Sequence, residues 1–442
     1  MRFLDELKFR GLLNEIDEGA KERLDSGEML TGYIGTDPTT AQMIINENGE
    51  KEKISSLHLG HLCAFMIARI FHKHGHKPII LVGSATSSLG DPSYRENARE
   101  MMTYEQINKN AKNIKNQLSK LFDFNSEAEN APILVDNREW VNDVKFLDFA
   151  RDTCQYITVN YLLAKESMKK RLESGLTITE LLYPILQSYD YWHLNNNYGC
   201  EFQFGGSDQQ GTIMTSLELI RKKEGKNVHF ITCPLVTDST GKKIGKSEGN
   251  ASVYLDRRLT SPYKMYQYFI NSSDEMAEKM IKIFSAKEID EIEELIHEHK
   301  ENPSNRILQK ALAEEIVTLI HSKADYENAV QASNALFSKD IESIVKLDLR
   351  TFNEVFEGVN QYEITKEELE GEGINIAEFL SVKTNILNSK ASVRKAIQNN
   401  AISINKVKIN DANRNITVND IIDNRFILIQ NGKKNTNLIK IR

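Results

Sequence analysis

The sequence predicts an α/β protein: a doubly wound parallel-sheet (Rossmann-like) domain, then an all-helical domain, then a small α/β domain. Three observations lead there. Up to residue 255, short apolar runs bounded by turn residues alternate with segments of helical period, the pattern of buried strands covered by crossover helices. From Ser261 to Lys339 the period is helical throughout, with Leu312, Ile316, Leu319 and Ile320 on one face. Beyond residue 373, short apolar runs such as Ile402-Ser403-Ile404 and Phe426–Ile429 flank a basic helix. The expected boundaries are 1–255, 256–348, an acidic and weakly periodic linker with short helical pieces at 349–372, and 373–442.

Taken in order, residues 1–30 read as amphipathic helix. Leu30–Ile34 is a short strand running into Gly35-Thr36-Asp37-Pro38-Thr39, a sharp turn. Between Thr40 and Ser55, Asn48-Gly49 separates two extended runs, a hairpin signal expected to mark a surface excursion without a function of its own. Leu57-His58-Leu59-Gly60-His61 opens a helix whose large apolar residues (Leu62, Phe65, Met66, Ile70) share a face, with Gly75 and Pro78 as its stop. Pro78–Gly83 is the next strand, emptying into a loop that ends Gly90-Asp91-Pro92-Ser93, with Arg95 and Arg99 following. Thr103-x-x-Gln106 caps a helix through Leu121, and Pro132–Val135 is another strand. Thr177-x-x-Glu180 opens a helix to Asn196; Glu201–Phe204 then leads through Gly205-Gly206-Ser207-Asp208-Gln209 into a helix ending at Leu219. A strand near Val228–Thr232 precedes the glycine-rich, basic loop Thr240–Asn250.

The bulk numbers narrow the class. With 442 residues and 40% hydrophobic content the chain can bury a sizeable core. Its four cysteines (Cys63, Cys154, Cys200, Cys233) form no C-x-x-C pair, which points to a reducing, cytoplasmic setting rather than a disulfide framework or structural zinc. The start, Met1–Leu7, is acidic and amphipathic rather than a signal peptide, and no apolar run has the length of a membrane span. Net charge is −7, yet Ser381–Arg442 carries 12 Lys/Arg against 3 Asp/Glu. A basic terminal module on an acidic body suggests a phosphate-rich partner bound at one end, or a basic solvated surface.

Three stretches carry candidate chemistry. His58 and His61, three apart in the first turn of a helix, would sit where unpaired backbone N–H groups favour an anion, and Gly60 leaves room for a flat ligand. His72, His74 and His76 lack a neighbouring carboxylate or cysteine at ligand spacing, so no metal site is expected. Tyr183, Gln187 and Asp190 form one stripe on an otherwise apolar helix, either a solvated face or the lining of a pocket. A phenol, an amide and a carboxylate suit a small zwitterion bearing a hydroxyl. The loop at Lys242–Ser247 presents movable cations without the spacing of a P-loop.

Together these residues resemble the class I aminoacyl-tRNA synthetases in their bacterial tyrosyl branch. His58-Leu59-Gly60-His61 is similar to the family's HIGH motif, and Lys243-Ile244-Gly245-Lys246-Ser247 to its KMSKS motif. Tyr33-x-Gly35-x-Asp37-Pro38-Thr39, Gly90–Ser93, the Tyr183 stripe and Gly205–Gln209 resemble the tyrosyl branch, and the tail resembles a small RNA-binding module of a ribosomal small-subunit protein. The resemblance implies the activation of L-tyrosine by ATP with Mg2+, transfer to tRNA(Tyr), a homodimer, a cytoplasmic setting, and no membrane partner or tightly bound metal.

By the same resemblance, Tyr33 and Asp190 would hold the substrate phenol. Asp91, Tyr183 and Gln187 would hold its ammonium, and Gln209 would lie near its carboxylate. Gly35, Asp37, Thr39, His58, Gly60, His61, Gly206 and Asp208 would surround ATP. Lys243, Lys246 and Ser247, with Arg95 and Arg99, would close on the phosphates, and Arg394, Lys395, Lys406 and Lys408 would meet RNA. Three features depart from the family pattern: the long insertion before His58, Arg95 where lysine is common, and Gln210 where tryptophan is frequent.

Overall fold

The computed structural model describes residues 2–39, 41–46, 48–89, 102–165, 168–169, 172, 175–237, 252–336, 338, 340–432 and 435–442. They form two compact units that divide after Lys323.

In the first unit, strands β1 (Glu15–Ile16), β2 (Thr31–Thr36), β5 (Lys77–Val82), β6 (Ile133–Asp136), β7 (Cys200–Gly206) and β8 (His229–Cys233) make one sheet, while β3 (Ala41–Ile45) and β4 (Lys51–Ser55) form the hairpin before His58. The sheet order is β1-β8-β7-β2-β5-β6, and every pair is parallel except β1 on β8. After the edge strand β1, the chain enters the middle of the sheet at β2, winds outward through β5 to β6, then returns to β7 on the other side. The winding therefore reverses between β2 and β7, the place where doubly wound sheets leave a crevice at the strand ends. Burial on both faces explains the nearly continuous apolar run of β5, five of whose six residues are buried.

Helix Leu59–Lys73 crosses from the hairpin to β5 and buries Leu59, Leu62, Cys63, Phe65, Met66, Ile67 and Ile70. Helix Ile178–Tyr198 leads into β7; Thr177 caps it by accepting the Glu180 N–H while Glu180 returns the bond, and Gly199 ends it at φ 63°. The N-terminal expectation is corrected. Residues 1–30 hold two short helices, Phe3–Phe9 and Glu18–Leu24, because Gly11 at φ 69° turns the chain after the first and Glu15–Ile16 pairs with β8 instead.

Helices Pro262–Ile270, Asp274–Phe284, Ile289–Glu301 and Ile307–Ile320 pack together in this same unit. A buried clamp ties them to the N-terminal helix. The Arg10 guanidinium donates to the carbonyls of Lys282, Ser285 and Lys287 at 2.9, 2.7 and 2.9 Å, and to Glu6 at 2.8 Å. Glu6 also takes bonds from Lys73 and His74 at the end of the histidine helix. Burial alone would raise its carboxyl, but the bonds from His74, Lys73 and Arg10 prevail and hold it below its ordinary value.

The second unit carries a five-stranded sheet of β9 (Asn360–Ile364), β11 (Ile402–Ile404), β12 (Val407–Lys408), β14 (Phe426–Asn431) and β15 (Asn435–Ile441), in the order β12-β11-β14-β15-β9. A short ladder of β10 (Ile374–Asn375) and β13 (Asn415–Ile416) lies apart. The stretch 349–372, expected as a linker with short helical pieces, contains the helix Leu349–Val355 and also the strand β9, which runs parallel to β15. The basic helix spans Lys390–Gln398 and buries only Val393 and Ile397, leaving Arg394 and Lys395 exposed.

Candidate active site

The crevice is built from strand ends upward. Tyr33 on β2 pairs in register with Gln203 on β7, so both side chains leave the same face of the sheet. Among the described residues, the Tyr33 hydroxyl and Gln203 Oε1 are buried without a hydrogen-bond partner. Orphaned polar atoms are costly in a folded core and point to a ligand that supplies the missing bond. Burial, reinforced by the nearby Asp190 charge, pushes the Tyr33 phenol well above its ordinary value, so it stays protonated. Gln203 escaped the sequence reading; its one signal was an amide between two phenylalanines in an apolar strand.

Helix Ile178–Tyr198 lays its polar stripe over this face. Tyr183 and Asp190 are buried and Gln187 half-buried, which decides for a pocket lining over a solvated face. The Asp190 carboxylate accepts the Trp140 indole N–H at 2.8 Å and the Asn137 amide at 3.0 Å. Burial pushes its carboxyl up to about 7; those two donors oppose the rise, and Asp37 and Asp136 add to it. Trp140 is steadied by a parallel stack on His193 at 4.4 Å, one turn beyond Asp190.

At the other end of the stripe, the Tyr183 hydroxyl donates to Asp37 Oδ2 at 2.8 Å, and Thr86 donates to Asp37 Oδ1 at 2.7 Å. Thr86, Asn137 and Trp140 were missed in the sequence. They lie just past the carboxyl ends of β5 and β6, which is the only clue the sequence held.

The histidine pair differs from its expectation at His58. His58 is the helix N-cap, in extended backbone at φ −129° and ψ 169° just outside the first turn, and His61 is the third helical residue, within that turn as expected. The His58 N–H donates to His61 Nδ1 at 3.2 Å and the His61 N–H to His58 Nδ1 at 3.3 Å, while the rings stack at 3.8 Å. The end of the helix is thus capped by imidazoles, and the Leu59 N–H goes to the Val253 carbonyl at 3.0 Å. With each Nδ1 accepting, a neutral ring carries its proton on Nε2, so the pair presents two N–H donors side by side. Burial, with His58 beside it, pushes His61 down to about 3 and keeps it neutral.

The remaining expected residues fall as follows. Gly35 lies exposed near the end of β2, the Thr39 N–H donates to the Asp37 carbonyl at 2.8 Å, and Gly60 sits in the first turn between the histidines. Gly206 ends β7 under Asp208, whose Oδ1 would stand 2.4 Å from a Cβ there, and Gln209 donates to Asp208 Oδ2 at 3.3 Å. Asp91, Arg95, Arg99, Lys243, Lys246 and Ser247 lie outside the described residues. In the second unit Arg394 and Lys395 are exposed, Lys408 donates to the Asn400 carbonyl at 2.6 Å, and half-buried Lys406 donates to the Leu336 carbonyl. Burial pushes the Lys406 ammonium below its ordinary value.

This geometry suits a ligand with a hydroxyl at its deep end, a cation toward Tyr183 and an anion toward the histidines. Comparison with known proteins identifies the family. The family model described as tRNA synthetases class I (W and Y) matches residues 55–338, and that of the tyrosine–tRNA ligase SYY-like C-terminal domain matches 351–439. The chain is 44% identical to the tyrosine–tRNA ligase of Bacteroides fragilis over 99% of both chains, and 43% identical to that of Porphyromonas gingivalis over the same shares. Among solved structures, a C-terminally truncated mitochondrial tyrosyl-tRNA synthetase of Aspergillus nidulans superposes with a TM-score of 0.65 at 28% identity, covering 76% of this chain and 94% of that one.

Proposed function

The chain belongs to the tyrosine–tRNA ligases, a branch of the class I tRNA synthetases, and from that premise we propose how its residues divide the reaction. The enzyme joins L-tyrosine to ATP as tyrosyl-adenylate, releasing pyrophosphate, and passes the tyrosyl group to the 3′ end of tRNA(Tyr). ATP enters as its Mg2+ complex, the ion being part of the substrate.

The observation that carries the assignment is the orphaned Tyr33 hydroxyl close to buried Asp190. A substrate phenol placed between them donates its proton to Asp190 and accepts from Tyr33, satisfying both. Phenylalanine would leave both unpaired, which is where specificity arises. Tyr183 and Gln187, with Asp91, take the α-ammonium, and Gln209 faces the carboxylate. That carboxylate attacks the α-phosphorus, a P–O bond forms, and the bond to the β-phosphate oxygen breaks. Charge then builds on the phosphate oxygens, where the Nε2–H groups of neutral His58 and His61 donate without changing protonation state. Gly35, Asp37, Thr39, Gly60, Gly206 and Asp208 frame the nucleotide; Lys243, Lys246, Ser247, Arg95 and Arg99 supply cations to the leaving pyrophosphate. No protein nucleophile is needed, because the reaction is one of positioning and charge stabilisation.

We assign the tRNA contact in the second unit to Arg394, Lys395 and Lys408, while the carbonyl bond of Lys406 leaves that lysine mainly a tie within the fold. We propose a homodimer, supported by large apolar side chains that the first unit exposes: Phe146, Leu147, Val159 and Ile178 are each more than half exposed. Among the described residues no helix is long and apolar enough to cross a membrane. We propose a cytoplasmic setting, where the tRNA substrate is met. Amino-acid-dependent exchange of pyrophosphate into ATP tests the reading: L-tyrosine alone should support it, and exchange driven by tryptophan would overturn it.

A further inference from the structure

The two carboxylates of the site are joined by a hydrogen-bonded chain whose polarity is set at a single hydroxyl. Asn137 cannot turn over, because its Oδ1 accepts the Ala85 N–H at 2.8 Å. Its Nδ2 therefore faces inward, 3.0 Å from Asp190 Oδ2 and 3.2 Å from Thr86 Oγ1. Thr86 receives that N–H and keeps its own proton to give. The charged Asp37 Oδ1 at 2.7 Å takes it in preference to the Gly83 carbonyl at 3.0 Å. Tyr183 gives its phenolic proton to the other oxygen of the same carboxylate. The node has no slack: a Cβ on Gly83 would stand 1.9 Å from Asp37 Oδ1 and 2.3 Å from Thr86 Oγ1.

From this geometry we infer that Thr86 is a positioning residue for the α-ammonium of tyrosine, anchoring Asp37 so that Tyr183 meets the substrate as a hydrogen-bond acceptor. The inference rests on the assignment of Tyr183 to the ammonium end. A phenol whose proton goes to a carboxylate turns its lone pairs to a ligand, which suits an ammonium and no acceptor group. Without the Thr86 hydroxyl, Asp37 Oδ1 loses its 2.7 Å bond and the direction of the Tyr183 proton is less firmly set. The phenol end is held separately, by Trp140 and by an Asn137 amide that Ala85 keeps in place.

The test compares dissociation constants of L-tyrosine and of 3-(4-hydroxyphenyl)propanoate, which keeps the phenol and lacks the ammonium, for wild type, Thr86→Val, Thr86→Ser and Tyr183→Phe. Thr86→Val should weaken tyrosine on the order of tenfold, the scale of one hydrogen bond to a charged group. It should move the des-amino analogue by less than about twofold, and Thr86→Ser should restore tyrosine. The unchanged analogue reports an intact pocket. Equal weakening of both ligands, or no weakening of tyrosine, overturns the inference about Thr86. If Tyr183→Phe also fails to weaken tyrosine selectively, the ammonium assignment itself is wrong and the inference falls with it.

Discussion

A proton on Asp190 should cost the enzyme its substrate. Burial pushes this carboxyl up to about 7, against the opposing N–H donors of Asn137 and Trp140. The substrate phenol donates its proton, so it needs the ionised acceptor. A carboxyl titrating at about 7 is ionised in about one molecule in eleven at pH 6, and in about ten in eleven at pH 8. The apparent dissociation constant scales inversely with that fraction, so tyrosine should bind about tenfold more weakly at pH 6 than at pH 8. Equilibrium titration with L-tyrosine across that range is the assay, with Asp190→Asn as control: its tyrosine affinity should be low and independent of pH. The same linkage acts on stability. The folded value lies above the ordinary 3.8, so Asp190 contributes stability at low pH that is lost as pH rises through about 7, and bound tyrosine should restore it. A tyrosine affinity flat from pH 6 to 8 would refute the placement of the phenol on Asp190.

Removing the indole donor with Trp140→Phe should raise the midpoint of that pH profile by about one unit, since one bond opposing the rise is lost; a midpoint that stays or falls argues against it. Arg10→Ala takes one of three cationic partners from buried Glu6 and leaves the carbonyls of Lys282, Ser285 and Lys287 without that donor. Thermal or urea unfolding should show a loss of about 3–5 kcal/mol, and an unchanged transition would mean the clamp contributes nothing. Replacing Arg394 and Lys395 together by glutamate should raise the KM for tRNA and flatten its salt dependence, leaving tyrosine-dependent pyrophosphate exchange intact; an unaltered KM would remove the basic helix from the tRNA contact.

How far the sequence could be read depended on the range of the interaction. Tyr183, Gln187 and Asp190 declared themselves because a helix brings residues three and four apart onto one stripe, and the Thr177 cap marked where that helix begins. The hairpin before His58 was visible in Asn48-Gly49, and its two strands pair from Ala41 with Ser55 to Ile45 with Lys51. Thr86, Asn137 and Trp140 were silent, since each stands about 50 residues from its partner in the site and only the sheet order brings them together. Gln203 met Tyr33 by register between β2 and β7, which no local pattern encodes. The histidine pair was seen, with His58 placed one residue too far into the helix: apolar periodicity detects the helix from Leu59 onward and is blind to an extended N-cap. An imidazole is also not among the usual capping side chains. The two-residue strand Glu15–Ile16 is too short to have a period at all.

The central claim is that tyrosine and ATP meet between Tyr33 and Asp190 at one end and His58 and His61 at the other. Crystals grown with a non-hydrolysable tyrosyl-adenylate analogue test it most directly. The phenol oxygen should lie within hydrogen-bond distance of both Tyr33 and Asp190, with the phosphate mimic facing the two imidazole Nε2 atoms. An analogue bound with its phenol turned away from Asp190, or its phosphate mimic away from the histidines, would contradict the account.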